Sequence, residues 1–243
     1  MKDIYGDDFY KKRLSKTNEA ANLILDHVLK IIPEPHSAVD LGCGIGAWLA
    51  ALRNKGVDRL VGIDGPWVNQ SYLAIDASEF RQMDFSRPLS IDGRFDLAIS
   101  LEVAEHLPKD AADQFVRNLV GLADFILFSA APPLQGGTHH INEQPIGYWL
   151  DKFKSHGFIG IDCVRPYFWN ERRIGAWYRQ NTILLAKESR VPELKLPTSS
   201  PEPASYLHPE IYLVKLQEAY TAKGAWKLLR RAIKRKVKAA WTR

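Results

Sequence analysis

Two kinds of apolar pattern alternate along the chain. Short, nearly continuous apolar runs are typical of buried strands, and segments with apolar residues at every third or fourth position are typical of amphipathic helices. Strands are predicted at 38–41, 59–64, 79–83, 95–101 and 125–130, and helices at 17–32, 47–54 and 110–122. Strands that alternate with helices predict a doubly wound α/β fold around a mostly parallel sheet.

The alternation changes after the fifth strand. One more helical segment ends near Gly157, and two apolar runs, 158–164 and 182–186, then follow without a helical pattern between them. Two strands joined in this way favour an antiparallel pair that closes the sheet.

The C-terminal part has a different composition. Residues 192–203 are rich in Pro and Ser, as linkers are, and helical patterns follow at 209–220 and 223–241. We therefore predict a domain at residues 1–188, a linker at 189–204 and a helical tail at 205–243.

Three glycines stand at alternate positions where the first strand gives way to a helix. Gly42, Gly44 and Gly46 allow a sharp turn and let a ligand approach the backbone, and the dipole of the following helix favours an anionic or polar group there. A nucleotide-like cofactor is the first hypothesis. A glycine turn without a ligand is the alternative that this motif leaves open.

Acidic residues end the second and third strands. Asp64 lies 18 residues beyond Gly46, where an acid can accept hydrogen bonds from ribose hydroxyls. Asp84 and Phe85 follow the third strand, where the acid could bind an adenine amino group and Phe85 or Met83 could cover the ring. A turn aspartate and a surface loop are the structural alternatives.

Four motifs together resemble the class I S-adenosylmethionine-dependent methyltransferases. They are V-D-L-G-C-G-I-G, G-I-D at 62–64, M-D-F at 83–85 and F-D-L-A-I-S-L-E-V-A-E-H-L, and the resemblance spans about residues 18–187. It implies a seven-stranded sheet with an antiparallel last strand and S-adenosylmethionine as cofactor. It also implies that Asp40 and the Gly42–Gly46 backbone lie near the methionine part and ribose, Asp64 at the ribose hydroxyls, and Asp84 and Phe85 at the adenine.

A dinucleotide-dependent oxidoreductase is the nearest alternative. Gly42, Gly44 and Ala47 also satisfy G-x-G-x-x-A, with an acid at about the expected distance. The additional acids Asp40 and Asp84 suit a sulfonium cofactor with an amino-acid tail better than a pyrophosphate, so we favour the methyltransferase.

Candidate catalytic groups follow the fourth strand. Glu102, Glu105 and His106 are spaced i, i+3 and i+4, which would place them on one face of a helical turn. His139 or His140, from the loop after the fifth strand, would reach the same edge of the sheet. Two carboxylates and imidazoles can hold Mg²⁺, Mn²⁺ or Fe²⁺.

This E-x-x-E-H set is similar to the metal site of small-RNA 2′-O-methyltransferases and of ubiquinone-biosynthesis O-methyltransferases. The similarity implies metal ligands at Glu102, Glu105, His106 and His140, and catalytic roles for His106, His140 and Glu102. A metal-free alternative stays open, in which His106 or His140 removes the acceptor proton or the motif only caps a helix.

Aromatic and arginine residues mark the expected acceptor side. By the resemblance, the acceptor pocket is built from the N-terminal helix, the loop after the fifth strand and the insertion before the last strand. Aromatic faces beside arginines suit a sugar that carries phosphate or carboxylate, although packing in the core is favoured for Tyr148 and Trp149. The candidates are Tyr5, Tyr10, Tyr148, Trp149, Trp169, Arg172, Arg173 and Trp177.

Composition places limits on these hypotheses. The 243 residues are 46% hydrophobic, which is enough for a core, and no apolar run approaches the ~20 residues that span a bilayer. The N-terminus lacks a signal-peptide core, so we expect a cytoplasmic protein. The two cysteines, Cys43 and Cys163, give neither a disulfide framework nor a zinc spacing.

The net charge of +5 is concentrated at one end. Residues 223–243 contain nine basic and no acidic residues, which leaves −4 for the rest of the chain and argues against a nucleic-acid partner. In the tail, Trp226, Leu229, Ile233, Val237 and Trp241 recur at helical spacing opposite the basic residues. Such a helix suits an anionic membrane surface; nucleic acid or a protein partner are the alternatives.

Together these features predict an O-methyltransferase, with or without a divalent metal, that acts on a sugar of a lipid-linked glycan or surface polysaccharide at the inner membrane face. Methylation of a quinone-like or natural-product phenol is the alternative reaction. A non-catalytic S-adenosylmethionine-binding module that acts through its tail is the alternative from another class.

Overall fold

The computed structural model describes residues 7–196, 203–222, 224–226, 228–230 and 233. Its centre is a seven-stranded sheet in the order β3-β2-β1-β4-β5-β7-β6. The strands β1 to β5 are parallel, and β7 runs antiparallel to both β5 and β6. The strands are β1 Ser37–Leu41, β2 Arg59–Asp64, β3 Phe80–Gln82, β4 Leu97–Leu101, β5 Phe125–Ser129, β6 Phe158–Ile161 and β7 Ile183–Lys187. This sheet confirms the predicted α/β fold and its antiparallel last strand.

The helices lie between the strands, with two differences from the sequence pattern. The α-helices are α1 Asp7–Val28, α2 Ala47–Arg53, α3 Ala112–Leu122, α4 Ile146–Lys154, α5 Arg165–Phe168, α6 Ala176–Asn181 and α7 Pro209–Ala219. The first helix begins ten residues before its predicted start, because no Gly or Pro interrupts residues 7–28. Two short helices, α5 and α6, occupy the segment before β7 that shows no helical pattern.

Two hydrophobic clusters cover opposite faces of the sheet. Alternate residues of β1 and β4 enter different clusters: Ala38, Leu97 and Ile99 belong to one, and Val39 and Ala98 to the other. Both faces of the parallel strands are therefore buried, as their continuous apolar runs require.

The order of the strands determines where a ligand can bind. From β1 the chain proceeds to β2 and β3 on one side, and then crosses to β4 and β5 on the other. A crevice forms outside the carboxyl ends of β1 and β4, where the direction of winding changes. Asp40 lies near that end of β1, opposite Gly62 of β2 and Ile99 of β4.

Both ends of the predicted linker are attached to the sheet domain. Residues Glu188–Glu193 form a 3-10 helix, and Val191 and Leu194 pack against the core. At the other end, Ala204 O accepts a hydrogen bond from Arg165 Nη1 (2.8 Å). The chain divides into two compact units between Tyr206 and Leu207.

The second unit contains α7 and further helical residues. Within it Trp226, Leu229 and Ile233 are exposed, while Val237 and Trp241 of the predicted amphipathic face lie outside the described residues. Across the ranges that the structure describes, every helix is too short or too polar to cross a membrane.

Candidate functional site

The glycine turn after β1 combines tight packing with one open position. Gly42, Gly44 and Gly46 have φ values of 86°, 55° and 84°, a region that favours glycine. A Cβ at Gly42 would overlap Val103, and one at Gly46 would lie 2.9 Å from Ile75. At Gly44 a Cβ would meet nothing within 4 Å. The turn therefore packs against the protein at both ends and faces open space at its centre.

Two buried carboxyl groups accompany this turn. Asp64 Oδ2 accepts a hydrogen bond from Gly44 N and Oδ1 accepts one from Gly65 N, both at 2.7 Å. Burial raises the pKa of Asp64, although these N–H groups oppose the shift. Burial and the neighbouring Asp64 charge raise the pKa of Asp40 well above its usual range. The pair is therefore suited to a ligand that brings hydrogen-bond donors or positive charge.

Trp67 lies beside Asp64, a position that the sequence pattern did not lead us to expect. Its indole lies over Gly65, where a Cβ would overlap the ring, and its side chain hydrogen-bonds to Asp64. The residue is 74% exposed. An aromatic residue three positions after the acid, behind a Gly-Pro pair, was the available sequence signal.

The structure places Asp84 and Phe85 in different surroundings. Asp84 is exposed, and its Oδ1 accepts hydrogen bonds from Ser86 N (3.0 Å) and Ser86 Oγ (2.6 Å), which lower the pKa of the carboxyl. Phe85 is buried in the core, with its ring centroid 5.8 Å from that of Phe115. Their assignment to the adenine stays a prediction.

Glu102 does not lie on the helical turn expected from its spacing. It follows β4 with φ 57°, an unusual value for a residue with a side chain, and the 3-10 helix Ala104–His106 begins two residues later. Its Oε1 accepts hydrogen bonds from Ser129 Oγ (2.8 Å) and Asn181 Nδ2 (2.9 Å). Its Oε2 accepts one from Gln135 Nε2 (2.9 Å). Loss of solvent raises the pKa of Glu102, and these three donors oppose the shift.

These donors belong to a polar network that joins three separate segments. Asn181 Nδ2 also donates to Gln135 Oε1 (2.8 Å), and Gln180 Nε2 donates to Asn181 Oδ1 (3.0 Å). The network connects the end of β4 with the loop after β5 and with α6. Its members lie up to 79 positions apart, so no sequence pattern could reveal it.

Glu105, His106 and His140 form a compact cluster at the same edge. One possible ligand atom from each of the three lies within 4.8 Å of the others. Glu105 is fully buried, and neither carboxyl oxygen makes a hydrogen bond within the described part of the chain. Burial, with the nearby charge of Glu102, raises the pKa of Glu105 to about 9. Glu102 and His139 are not members of this cluster.

The histidines hold different positions around Glu105. The rings of His106 and His140 meet edge to face at 4.8 Å, and the His139 backbone O lies 3.3 Å from His106 Nδ1. The exposed His106 ring is close enough to Asp64 for its charge to lower the pKa of that carboxyl. His106 is therefore the member of the cluster that lies near Asp64.

Glu143 stabilises the loop that carries His140. The backbone N–H groups of Ile141 (2.9 Å) and Asn142 (3.0 Å) donate to Glu105 O, which ties the loop to the cluster. Glu143 Oε1 lies 3.0 Å from His140 Nδ1. The loop sequence drew attention to its histidines, but Glu143 had no assigned role.

Comparison with known proteins shows what the first half of the chain resembles. Residues 12–120 match the family model of a methyltransferase domain. Over this range the chain is similar to a methyltransferase domain. The matched range of this domain includes the glycine turn, Asp64, Glu105 and His106, and it ends before the loop of His140. No curated protein matches the chain.

The chain also shares its fold with solved structures. An O-methyltransferase family protein from Burkholderia thailandensis is 14% identical over 74% of this chain and 58% of its own, with a TM-score of 0.52. A complex of the Haloferax volcanii Trm112 methyltransferase activator with a candidate methyltransferase gives 18% identity over 74% and 94%, with a TM-score of 0.53. Human N-acetylserotonin methyltransferase, in complex with S-adenosylmethionine, gives 16% over 74% and 54%, with a TM-score of 0.49. The match spans little more than half of the Burkholderia and human chains.

The residues expected on the acceptor side of the methyltransferase domain divide into core and surface. Trp149 is fully buried, as favoured from the sequence, and Arg173 forms an ion pair with Glu171 (2.7 Å). Arg172 and Trp177 are exposed. Tyr5 and the side chain of Tyr10 lie outside the described residues.

The two cysteines, Cys43 and Cys163, are free and buried. Burial raises the pKa of the Cys163 thiol to about 12 and that of Cys43 further, so both stay protonated near neutral pH. Neither thiol is an effective nucleophile.

Proposed function

We propose that the chain is an S-adenosylmethionine-dependent O-methyltransferase that acts on a sugar hydroxyl of a lipid-linked glycan or surface polysaccharide. The observation that carries this proposal is the cluster of Glu105, His106 and His140 beside the Asp64 carboxylate. Groups able to activate a hydroxyl thus adjoin a group able to bind a ribose.

The glycine turn fits S-adenosylmethionine. Each Asp64 oxygen accepts one backbone hydrogen bond, and a ribose hydroxyl can take the place of the exposed Trp67 side chain that also hydrogen-bonds to this carboxylate. The open space at Gly44 admits a ligand close to the backbone, and Asp40 adds a second buried carboxyl group that suits the positively charged parts of this cofactor. When bound, this cofactor supplies an electrophilic methyl group. The contribution of the protein is to hold the acceptor oxygen in line with it.

The cluster also fits a divalent cation. A buried carboxyl group without hydrogen bonds, beside two imidazoles, is a donor set that Mn²⁺ or Fe²⁺ would satisfy. A cation held by Glu105, His106 and His140 would lower the pKa of the acceptor hydroxyl. We leave Glu102 out of this set because its oxygens already accept three side-chain hydrogen bonds.

His140 or His106 removes the acceptor proton where no cation is bound. A neutral imidazole accepts a proton near neutral pH; the His106 ring lies near the Asp64 carboxylate, and the His140 ring packs against His106. The backbone hydrogen bonds from Ile141 and Asn142 to Glu105 hold the His140 loop at this position.

The acceptor and the location are further parts of the proposal. Exposed Trp177 and Arg172, on the segment before β7, suit a sugar ring that carries an anionic group. We propose that the tail 223–243 binds the anionic inner face of a membrane, since its described apolar members Trp226, Leu229 and Ile233 are exposed.

Radiolabelled methyl transfer tests the proposed reaction. Wild type, Asp64→Asn, His106→Ala and His140→Ala are assayed with glycan, nucleotide-sugar, phenol and RNA acceptors, with added Mn²⁺ or after a chelator. We expect label in the glycan or nucleotide-sugar and a loss of at least tenfold in each variant. Full turnover by a chelator-treated His106→Ala, His140→Ala double variant would exclude a catalytic role for either histidine.

The same assay separates the alternatives. Label in the phenol alone would indicate a quinone-like or natural-product acceptor. Binding of S-adenosylhomocysteine by calorimetry, without product from any acceptor, would indicate a non-catalytic binding module.

A further inference from the structure

Three hydrogen-bond donors from one short loop point at a single side chain. Glu143 Oε1 accepts from Gly136 N (2.6 Å) and lies 3.0 Å from His140 Nδ1. Glu143 Oε2 accepts from Leu134 N (2.9 Å). The Glu143 carboxylate thus links the beginning of the loop, at Leu134 and Gly136, to the imidazole of His140 near its end.

The backbone of this loop is held in an unusual conformation. Leu134 and His139 have φ values of 75° and 60°, in the left-handed region that residues with side chains rarely adopt. Such residues persist only where the surrounding contacts fix them. Glu143 supplies these contacts at one end of the loop, and the backbone bonds to Glu105 O supply them at the other.

The contact also determines which nitrogen of His140 can react. A carboxylate accepts but does not donate, so it selects the ring form with the proton on Nδ1 and leaves the lone pair on Nε2. That Nε2 lies over Gly137, where a Cβ would overlap it. Nδ1 is therefore occupied by its contact with Glu143, and the packing against Gly137 fixes the position of Nε2.

We infer that Glu143 is a positioning residue for His140. It fixes the tautomer and the orientation of the imidazole beside Glu105 and His106, so that Nε2 meets either an acceptor proton or a cation. This rests on the proposed function of His140, because orientation affects turnover only if His140 takes part in the reaction. Partners of this kind affect activity or metal affinity by about 10- to 100-fold in other proteins.

Variants of Glu143 distinguish two roles for this residue. It could stabilise the loop alone, or it could also orient the His140 ring. Glu143→Gln keeps an oxygen for one of the two backbone donors and replaces the other oxygen by an NH₂ group, which donates. Glu143→Asp keeps the charge on a shorter side chain. Glu193→Gln, which changes an exposed carboxylate paired with Arg190, is the matched control.

The experiment measures the ring and the reaction separately in the full chain. Imidazole ¹⁵N shifts report the tautomer of His140, whose signals are identified by their loss in His140→Ala, and thermal melting reports the fold. In Glu143→Gln we expect a shift toward the Nε2-protonated form and a kcat lower by about 10- to 100-fold, with the KM for S-adenosylmethionine nearly unchanged. Glu143→Asp should restore part of both, and Glu193→Gln should match wild type.

An unchanged tautomer in folded Glu143→Gln would overturn the inference, as would a kcat within twofold of wild type while His140→Ala is inactive. Full activity in His140→Ala would count against the proposed function and not against the role of Glu143. It would remove the proposed role of His140 in the reaction, and the nitrogen shifts would still decide whether Glu143 sets the ring.

Discussion

Asp64 and Glu105 are two buried acids with opposite hydrogen-bond environments. Asp64 accepts hydrogen bonds from two backbone N–H groups, whereas Glu105 makes none within the described residues. A buried carboxyl group without donors is costly when charged, and a ligand that supplies positive charge removes that cost. Asp64 thus has hydrogen-bond donors that stabilise its charge without a ligand, whereas the carboxyl group of Glu105 has none among the described residues.

Asp64→Asn should weaken the binding of S-adenosylhomocysteine by about 10- to 100-fold, because hydrogen bonds to a charged acceptor contribute about 1.5–3 kcal/mol. Calorimetric titration measures the affinity, and Asp58→Asn, at an exposed position, is the control. Equal affinities in wild type and Asp64→Asn would show that the carboxylate does not bind this ligand.

The stability of the metal-free protein should fall as the pH rises from about 5 to 9. The pKa of Glu105 is about 9 in the folded protein and about 4.5 when unfolded, so the folded state holds the extra proton in this window. Stability then falls by at most about 1.4 kcal/mol per pH unit for this group. Glu105→Gln should flatten the profile in denaturant unfolding, and exposed Glu34→Gln should not. A profile unchanged by Glu105→Gln would disprove the shift.

At the scale of elements, the loop after β5 brings the second histidine to the site. The Glu105 backbone O accepts two N–H groups from this loop, and Glu143 closes it from within. The position of His140 thus depends on backbone N–H and C=O groups, which every sequence has, so these contacts leave no residue pattern. Gly137 is the exception, since the imidazole occupies the space of its missing side chain.

Gly137→Ala should displace the His140 ring and lower methyl transfer by tenfold or more, while the melting temperature stays within a few degrees, because the ring lies in a loop and not in the hydrophobic core. Gly147→Ala is the matched control. A Cβ at Gly147, inside α4, meets nothing within 4 Å and should stabilise the helix by about 0.5–1 kcal/mol without affecting turnover. Wild-type turnover in Gly137→Ala would contradict the assigned ring position.

At the scale of the whole molecule, the structure changes where the sheet domain should be taken to end. Val191 and Leu194 pack on the core, Arg190 pairs with Asp124, and Tyr206 lies over the Arg165 guanidinium at 4.5 Å. The residues from 189 to 196 and from 203 to 206 therefore contribute contacts that a free linker would not make.

A chain that ends at Tyr206 should melt within a few degrees of the full chain, whereas one that ends at Ser189 should melt at least ~5 °C lower because it loses these contacts. With anionic liposomes, only the full chain should float, since the basic residues of the tail contribute about 1 kcal/mol each near the headgroups. Replacing Lys234, Arg235, Lys236 and Lys238 by Gln in the full chain is the charge control. Flotation of the Tyr206 chain would contradict the role of the tail.

The amino-acid pattern was enough to predict the sheet, the glycine turn and the acid at the end of β2. These are local features, because buried strands, a turn that needs positive φ and an acid at a strand end each leave a mark within a few residues. The folded chain was needed to show that Glu102 joins the network of Ser129, Gln135 and Asn181, and that His140 rather than His139 lies with Glu105 and His106. These groups lie on segments that are close in the fold but distant in the chain, so their partners are chosen by the fold rather than by spacing.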